Sequence, residues 1–337
     1  MFRTLMSVCD PPSCMGPPDD ARKALYRFWV GLAAAFLILG CSGAQRHQDK
    51  DRDALPSAAW QTKLNQDNPL VGLIWDSRLN KTISSRQLVK QVAKAQLILI
   101  GERHDHPDHH RIQAWLIDNI TDQRTVGFEM LARPLQDALQ AAKNASDVEA
   151  LSQWEKSGWP AFSIYKPIFD AAYRGQHELA AIHPTRKQVK AVLMGLSAGE
   201  LAKGHMSALP RDGLKALKAD IKASHCGHAN PQMTQAMTRA QVFKDQFMLR
   251  NLIEKSGDKG SVLIAGNGHV RKDYGIPVHA PADLRTVSIG IIEAGRTLDV
   301  ARYGPERFDY VFFTPMLDDV DPCVQFREAL KKIKQKK

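Results

Sequence analysis

The chain has 337 residues, of which 44% are hydrophobic and 24% are charged. This composition is ordinary for a protein that buries a substantial core, and it excludes general disorder. The net charge of +10 at neutral pH suits nucleic acid, anionic lipid or an acidic small molecule as a partner. The export signal described next excludes nucleic acid from these three.

The N-terminal segment predicts export and lipid attachment. Basic residues precede an apolar run over residues 28–39, which is shorter than the ~20 residues that a membrane-spanning helix needs. The run ends in Gly40 and Cys41, a pattern that resembles the lipobox of bacterial lipoproteins, whose cysteine is acylated and becomes the first residue. We therefore predict a signal peptide over residues 1–40 and a lipid anchor on Cys41. Ser42 resembles the sorting choice for the outer membrane, so we expect a cell-envelope protein that faces the periplasm.

Beyond the signal, the sequence predicts a tether, a folded domain and a basic tail. Residues 41–66 are polar with little periodicity, which is typical of a flexible tether, and residues 326–337 form a lysine-rich end. Cys226 and Cys323 are the cysteines that remain once the signal and Cys41 are set aside. An even pair in an oxidising compartment predicts a disulfide bond.

The domain predicted over residues 67–325 alternates strands with helices. It begins with two short apolar runs around Asn80, which predict a hairpin. Apolar runs of strand length follow at 96–102, 125–130, 178–184, 261–269, 285–292 and 310–315. Amphipathic stretches typical of helices lie at 108–120, 134–157, 164–175, 211–223 and 231–255.

This alternation predicts the fold class. Continuous apolar strands are typical of parallel sheets that are covered on both sides. We therefore predict an α/β fold, with a mostly parallel central sheet and helices on both faces. Residues 190–255 contain no convincing strand, so we expect a helical subdomain inserted there.

Polar residues follow several of the predicted strands. Two Gly-x-x-His sequences end at His104 and His269, and Glu129 and His183 lie at the ends of two other strands. Ligands of open α/β sheets bind at the carboxyl ends of the strands, so these side chains are expected at one edge, around a pocket. His183 taken alone is interpreted as a polar residue that closes a strand.

The stretch "HDHPDHH" raises a different possibility. It matches H-x-H-x-D-H, the first metal signature of metallo-β-lactamase-type hydrolases, with His104, His106, Asp108 and His109 as zinc ligands. However, the many-stranded half-sheet expected before that signature is lacking, and Asp108 is suited to cap the helix that follows. We therefore reject the metallo-β-lactamase fold.

A resemblance to a known family covers residues 70–325. The segments "LILIGERHDHPDHHRIQ", "GFEM", "SIYKPIFDAAY", "AQVFKDQFM" and "VLIAGNGHVRKDYGIP" resemble the ChaN-type haem-binding uptake lipoproteins. This family belongs to a wider set, with Tiki proteases and erythromycin esterases, that shares paired G-x-x-H motifs. Asn is more usual in the family at the position of His106, so the match to the zinc signature arises from that one replacement.

The resemblance implies a carrier of ferric haem. It implies a tyrosine phenolate as the iron ligand, a hard anionic ligand that favours Fe(III), and a dimer that brings two haems face to face. The matching tyrosine is Tyr165, and only the resemblance places it ahead of Tyr173 and Tyr274. The histidines implied as further haem contacts are His104, His109, His110 and His269.

Two other classes of protein stay open. A hydrolase, with or without a metal, would use Glu102, His104, Glu129 and His269, with a glutamate acting as general base for water. No G-x-S-x-G sequence supplies a serine nucleophile. A purely structural lipoprotein of the envelope would depend on none of these residues, and the grouping of polar side chains at strand ends argues against it.

Overall fold

The computed structural model describes residues 59–196 and 208–321, together with residues 323, 324 and 327. The predicted signal peptide, Cys41 and nearly all of the basic tail lie outside these residues. Within the described ranges, no helix combines the length and the apolar character that crossing a membrane requires.

The first described residues correct the predicted tether. Trp60 is 8% exposed. The carboxylate of Asp108 accepts hydrogen bonds from the backbone N–H groups of Gln61 and Thr62, at 3.0 and 2.9 Å. Leu64 forms a β-bridge with Met316. Residues 59–66 therefore pack on the domain, and the prediction of a flexible tether is wrong for this part of it.

The described residues contain one sheet of eight strands. β1 (Ile74–Asp76) and β2 (Lys81–Ile83) pair antiparallel, which confirms the predicted hairpin around Asn80. The strands that follow are β3 (Leu97–Glu102), β4 (Thr125–Ala132), β5 (Glu178–His183), β6 (Ser261–Gly266), β7 (Thr286–Glu293) and β8 (Tyr310–Thr314).

The helices lie between these strands. In chain order they are α1 (Ser85–Val92), α2 (Pro107–Asp118), α3 (Gln136–Ala141), α4 (Ala145–Ser152), α5 (Trp154–Ser157), α6 (Phe162–Arg174), α7 (Arg186–Leu193), α8 (Arg211–Ser224), α9 (Pro231–Ser256), α10 (Asn267–Val270) and α11 (Ile276–His279). The stretch 134–157, which the sequence pattern predicts as helical, is broken into three short helices. Ala142 is extended after α3, and Gln153 has a φ of 49° between α4 and α5.

The sheet has the strand order β2-β1-β8-β7-β3-β6-β4-β5. The strands from β8 to β5 pair in parallel, and only the β1–β2 hairpin is antiparallel to its neighbours. The predicted α/β fold with a mostly parallel sheet is therefore confirmed. Parallel pairing carries the carboxyl ends of β3, β4, β5 and β6 to the same edge.

Alternate residues of the strands supply two separate cores. On β3, Ile98 and Ile100 belong to one core, which α2 and α6 cover. Leu97 and Leu99 point to the other face, into a core covered chiefly by α9. Because both faces are covered by helices, the strands are apolar throughout, as the sequence shows.

The helical insertion is held to the rest of the domain by a covalent bond. Between residues 190 and 255, the described residues form α7, α8 and α9 and no strand. Cys226, just after α8, is disulfide-bonded to Cys323, with Cα atoms 5.5 Å apart. This is the pair that the cysteine count predicts.

Candidate functional site

Two glycines let the Gly-x-x-His segments approach each other closely at the carboxyl edge of the sheet. A Cβ atom on Gly266 would lie 2.9 Å from Nε2 of His104. A Cβ atom on Gly101 would lie 2.2 Å from the side-chain oxygen of Asn267. Both distances are too short for a side chain, so the glycines of the motif serve close packing between the ends of β3 and β6.

Glu102 lies at the centre of the site and is fully buried at its side chain. Its Oε1 accepts hydrogen bonds from Nδ1 of His104, at 2.8 Å, and from the hydroxyl of Tyr165, at 3.1 Å. Its Oε2 lies 3.3 Å from Nε2 of His110. Burial alone would raise the pKa of Glu102, but the His110 and His104 rings outweigh burial and lower it. The carboxylate is therefore ionised.

His104 connects this carboxylate to the surface. Its side chain is 36% exposed, and its Nε2 lies 3.9 Å from Glu129. The ring meets Trp159 edge to face, with centroids 4.8 Å apart. Burial lowers the pKa of His104, yet the hydrogen bond to Glu102 and the charges of both glutamates prevail and raise it. The two glutamates therefore favour the protonated form of this imidazole at the edge of the site.

A second buried chain of ion pairs lies behind His104. Nε2 of His269 donates to Oε1 of Glu129 at 3.0 Å, and its Nδ1 donates to Asp245. Burial alone would lower the pKa of His269, but the charges of Glu129 and Asp245 raise it to about 9. Burial alone would raise the pKa of Glu129, but the charge of His269 outweighs this effect and holds the pKa of Glu129 well below its usual value.

Asp245, whose carboxylate completes this chain of ion pairs, is not among the candidate residues that the sequence indicates. It lies within α9 and is fully buried. No strand end or glycine marks it. Its sequence context offers one clue, because this aspartate lies between the apolar residues Phe243 and Phe247 in the segment "AQVFKDQFM".

The side chains of "HDHPDHH" that match the zinc signature bind different partners, although the His106 and His109 rings stack with centroids 3.9 Å apart. His106 contacts the carbonyl of Pro315 at 3.0 Å, and Asp108 binds the segment that contains Thr62. His109 accepts from the backbone N–H of Arg103 through Nδ1. Within the described part of the chain, no group of three or more His, Cys, Asp or Glu residues could hold a metal ion. The side chains of the zinc signature are therefore engaged by separate groups of the protein.

Two expectations about this stretch are wrong. His106, not Asp108, is the N-cap residue of α2, and the Asp108 carboxylate instead accepts hydrogen bonds from residues 61 and 62. His109, expected as a haem contact, is enclosed: it is 1% exposed, and its Nε2 lies 3.1 Å from the hydroxyl of Thr314.

The structure also contradicts an accessible phenolate at Tyr165. The residue is 0% exposed, and its ring stacks on His110, which is equally buried, at 4.0 Å. Its hydroxyl donates to Glu102 and to the backbone carbonyl of His104, at 3.1 and 2.9 Å. Burial and the Glu102 charge raise the pKa of Tyr165 far above its usual value. Tyr165 and His110 are thus supports of Glu102 and do not line an open pocket.

A cavity of about 770 Å³ adjoins the cluster. Trp159, which contacts His104, forms one of its walls. Its other apolar residues include Met130, Leu135 and Leu151, and its basic residues are Lys156, Arg186 and Lys187. His183, at the end of β5, also lines it. The volume falls within the range of about 300–1,000 Å³ that is usual for ligand pockets.

These features define an α/β protein with a ligand pocket beside a buried charge cluster at the carboxyl edge of its sheet. Residues 88–279 match the family model described as "Haem-binding uptake, Tiki superfamily, ChaN". The chain therefore belongs to the ChaN family of haem-binding uptake proteins.

Solved structures resemble this fold to different degrees. The structure of ChaN of Campylobacter jejuni with cofacially bound haem is 23% identical, with a TM-score of 0.60, over 71% of this chain and 95% of that one. The type III effector HopBA1 is 14% identical, with a TM-score of 0.39, over 74% of this chain and 99% of that one. An erythromycin esterase, EreC, is 13% identical, also with a TM-score of 0.39, over 62% of this chain and 73% of that one. No curated protein matches the chain.

Proposed function

We propose that this protein binds haem in the cavity beside His104, as an exported carrier for haem or iron uptake or storage. The observation that carries the proposal is the lining of that cavity. Haem is a flat apolar macrocycle with two carboxylate groups, so its site must combine apolar walls with cations. Trp159 and Leu151 supply apolar surface, while Arg186 and Lys187 supply positive charge at the same cavity.

Hemin titration of the protein, purified from the cell envelope in mild detergent, tests this proposal through the Soret band. Leu151→Glu places a carboxylate on the apolar wall, where it opposes the haem face and propionates. It should weaken binding by roughly tenfold or more. Leu298→Glu is the matched control, because Leu298 is 60% exposed and does not line the cavity. Binding that does not saturate, or that both variants weaken equally, would contradict the site.

The bound haem is ferric and the protein is exported. The disulfide between Cys226 and Cys323 supports both statements, because such bonds persist in oxidising compartments, where free haem iron is Fe(III). Attachment of lipid at Cys41 and a periplasm-facing outer-membrane location remain proposals supported by the sequence pattern. Ferric haem should show its characteristic spectrum as isolated, with further change only after a reductant is added.

Haem binding also favours a dimer. The cavity opens to the surface, where its residue Leu151 is 40% exposed, so this chain by itself leaves part of a bound haem in contact with water. A second copy that carries its own haem would cover that surface. ChaN of Campylobacter jejuni binds haem cofacially. Light scattering with and without hemin should show a doubled mass only with hemin; an unchanged mass would argue for a monomeric carrier.

One observation favours a hydrolase as the second candidate. His104 is partly exposed and is held by Glu102, whose carboxylate favours the protonated ring, so it is placed to donate a proton to a leaving group. Ester and peptide substrates should then be cleaved by the native protein and not by His104→Ala. Equal activity in the two proteins would remove this candidate and leave the carrier unaffected.

A further inference from the structure

Helix α8 of the insertion carries a row of cations on the side that faces water. The row consists of four exposed residues: Arg211, Lys215, Lys218 and Lys222. Their spacing of four, three and four residues places them on one side of a helix with about 3.6 residues per turn. Among the described residues, no ion pair engages any of them. These four residues are called the basic face of α8.

Contacts on the opposite side of α8 fix this orientation. Leu217 and Ile221 are buried in a small core with Tyr274. Asp220 accepts hydrogen bonds from the hydroxyl of Tyr274, at 2.7 Å, and from the guanidinium of Arg271. At roughly 100° per residue, these inward-facing residues lie about half a turn around the helix from the basic face. The contacts of the inner side therefore hold the lysines away from the domain.

The charge on α8 is one-sided, because its acidic residues do not balance the basic face. Asp220 is engaged by Arg271 and Tyr274 on the inner side. Asp212 is the other carboxylate of the helix, and it is exposed. The outer side of α8 therefore carries an excess of positive charge.

The disulfide bond keeps a second group of cations within reach of this face. Cys226 follows α8 closely, and its partner Cys323 precedes the basic tail. The last residues of that tail, 331–337, are lysines except at positions 333 and 335. The chain from Cys323 to Lys331 spans at most roughly 29 Å, and α8 itself is about 21 Å long. The linkage thus limits how far these lysines can lie from α8.

We propose that the basic face of α8, together with the basic tail, is a docking surface for an anionic phospholipid bilayer. The proposal goes beyond haem binding, and it rests on the lipid attachment proposed at Cys41. The chain from Cys41 to Ala59, the first described residue, spans at most roughly 60 Å. An anchored domain therefore has enough chain to rest α8 on the membrane that holds its lipid.

The composition of the surface favours lipid over an acidic protein as the partner. Interfaces between proteins are enriched in aromatic residues and depleted in lysine. All but one of the cations of the basic face are lysines, and α8 exposes no large apolar side chain. A lysine ammonium is a strongly hydrated point charge on a flexible stem. Such charges suit the diffuse negative charge of lipid headgroups better than the defined pockets of a protein.

The strength of the contact fits a role in orientation. Each lysine close to an anionic bilayer favours the bound state by roughly fivefold, so the three lysines of the basic face contribute roughly a hundredfold. This is too weak to hold a free protein on a membrane, but a tether raises the effective concentration of the domain to about the millimolar range. The lipid anchor therefore supplies the attachment, and the basic face sets which side of the domain meets the bilayer.

Lysine footprinting on vesicles tests this surface in the native, full-length protein. The protein is reconstituted on vesicles of phosphatidylcholine alone, or of phosphatidylcholine mixed equally with phosphatidylglycerol, and acetylation of each lysine is read by mass spectrometry. Lys215, Lys218 and Lys222 should react several-fold more slowly on the anionic vesicles, and high salt should restore their rates. Three exposed lysines outside the insertion should react equally on both vesicles and are the internal controls: Lys81, Lys94 and Lys143.

The possible outcomes of the footprint separate the surface from the anchor. Equal rates at the α8 lysines on the two kinds of vesicle would overturn the proposal. Lysines that react freely on both vesicles but are protected in intact envelope fractions would also overturn it, and would indicate an acidic protein as the partner. Flotation with the neutral vesicles reports the Cys41 anchor independently, so a missing anchor is distinguished from a surface that does not bind.

Energy transfer from the tryptophans to dansyl-labelled lipid measures how close the domain lies to the bilayer. In the native protein, transfer should be more efficient on the anionic vesicles than on the neutral ones. Lys215→Gln, combined with the same change at Lys218 and Lys222, should reduce this difference, because the basic face loses its lysines. The same triple change at the control lysines should preserve it. A difference that the two triple variants share equally would overturn the proposal, since total charge and not the basic face would then govern the contact.

Discussion

The buried ion pairs of His269 make the stability of the protein depend on pH within a defined window. Glu129 and Asp245 overcome the effect of burial and raise the pKa of His269 from 6.5 to about 9. The folded protein therefore keeps a proton that the unfolded chain releases in this range. The stabilisation is complete below pH 6.5 and is lost as the pH rises through about 9.

The size of this effect follows from the two pKa values. A pKa raised from 6.5 to about 9 contributes on the order of 3 kcal/mol to the free energy of unfolding. The side chain is 6% exposed, so screening by solvent removes little of it. His104, whose pKa is also raised, adds a change of the same sign. The pKa of Glu129 is lowered, so Glu129 acts at acid pH and outside this window.

Urea unfolding between pH 6 and pH 9.5 measures the effect. The free energy of unfolding should fall across the window in the native protein. In Asp245→Asn the fall should end at lower pH, because the amide can still accept from His269 but no longer raises its pKa by charge. Asp283→Asn, the same change at an exposed aspartate, is the control and should behave as the native protein. A free energy that is flat from pH 6.5 to 9, or an unaltered fall in Asp245→Asn, would refute the reasoning.

Three further predictions follow from particular contacts. Gly266→Ala should lower the free energy of unfolding by about 1–3 kcal/mol, because its Cβ would lie 2.9 Å from Nε2 of His104; a urea midpoint equal to the native one would show that the ring moves freely. Reduction of Cys226–Cys323, 97 residues apart, should cost about 4–5 kcal/mol in the chain-entropy model, seen as a lower urea midpoint. Cys41→Ala should abolish acylation and membrane attachment. If the intact masses of the native protein and the variant differ only by the Cys→Ala exchange, the native protein carries no acyl chain and the anchor is excluded.

Much of the architecture could be predicted because its signals are local. Apolar runs of strand length identified the strands of the parallel sheet, and the polar residues after them placed Glu102, Glu129 and His269 at one edge. Parallel strands bring their carboxyl ends together whatever the details of packing, so this grouping needed no tertiary information. The disulfide pair followed from simple counting of cysteines.

The errors share a physical cause, which is packing between segments far apart in the chain. The sequence pattern predicted Asp108 as a helix cap, but its carboxylate accepts hydrogen bonds from residues 61 and 62. Tyr165 appeared available until it was closed in by Glu102 and His110. The fully buried Asp245 carried no local signal, because its partner His269 lies on a different element.

The sequence by itself determined the α/β sheet, the family and the edge at which the site lies, because periodicity and motif spacing are properties of neighbouring residues. Tertiary structure alone decided which side chains of that edge face the cavity and which hold a proton. Burial and the charges of distant residues set those two properties. They make His269 a buried cation and, because burial lowers the pKa of His183 to about 4, they leave the His183 ring neutral at the cavity wall.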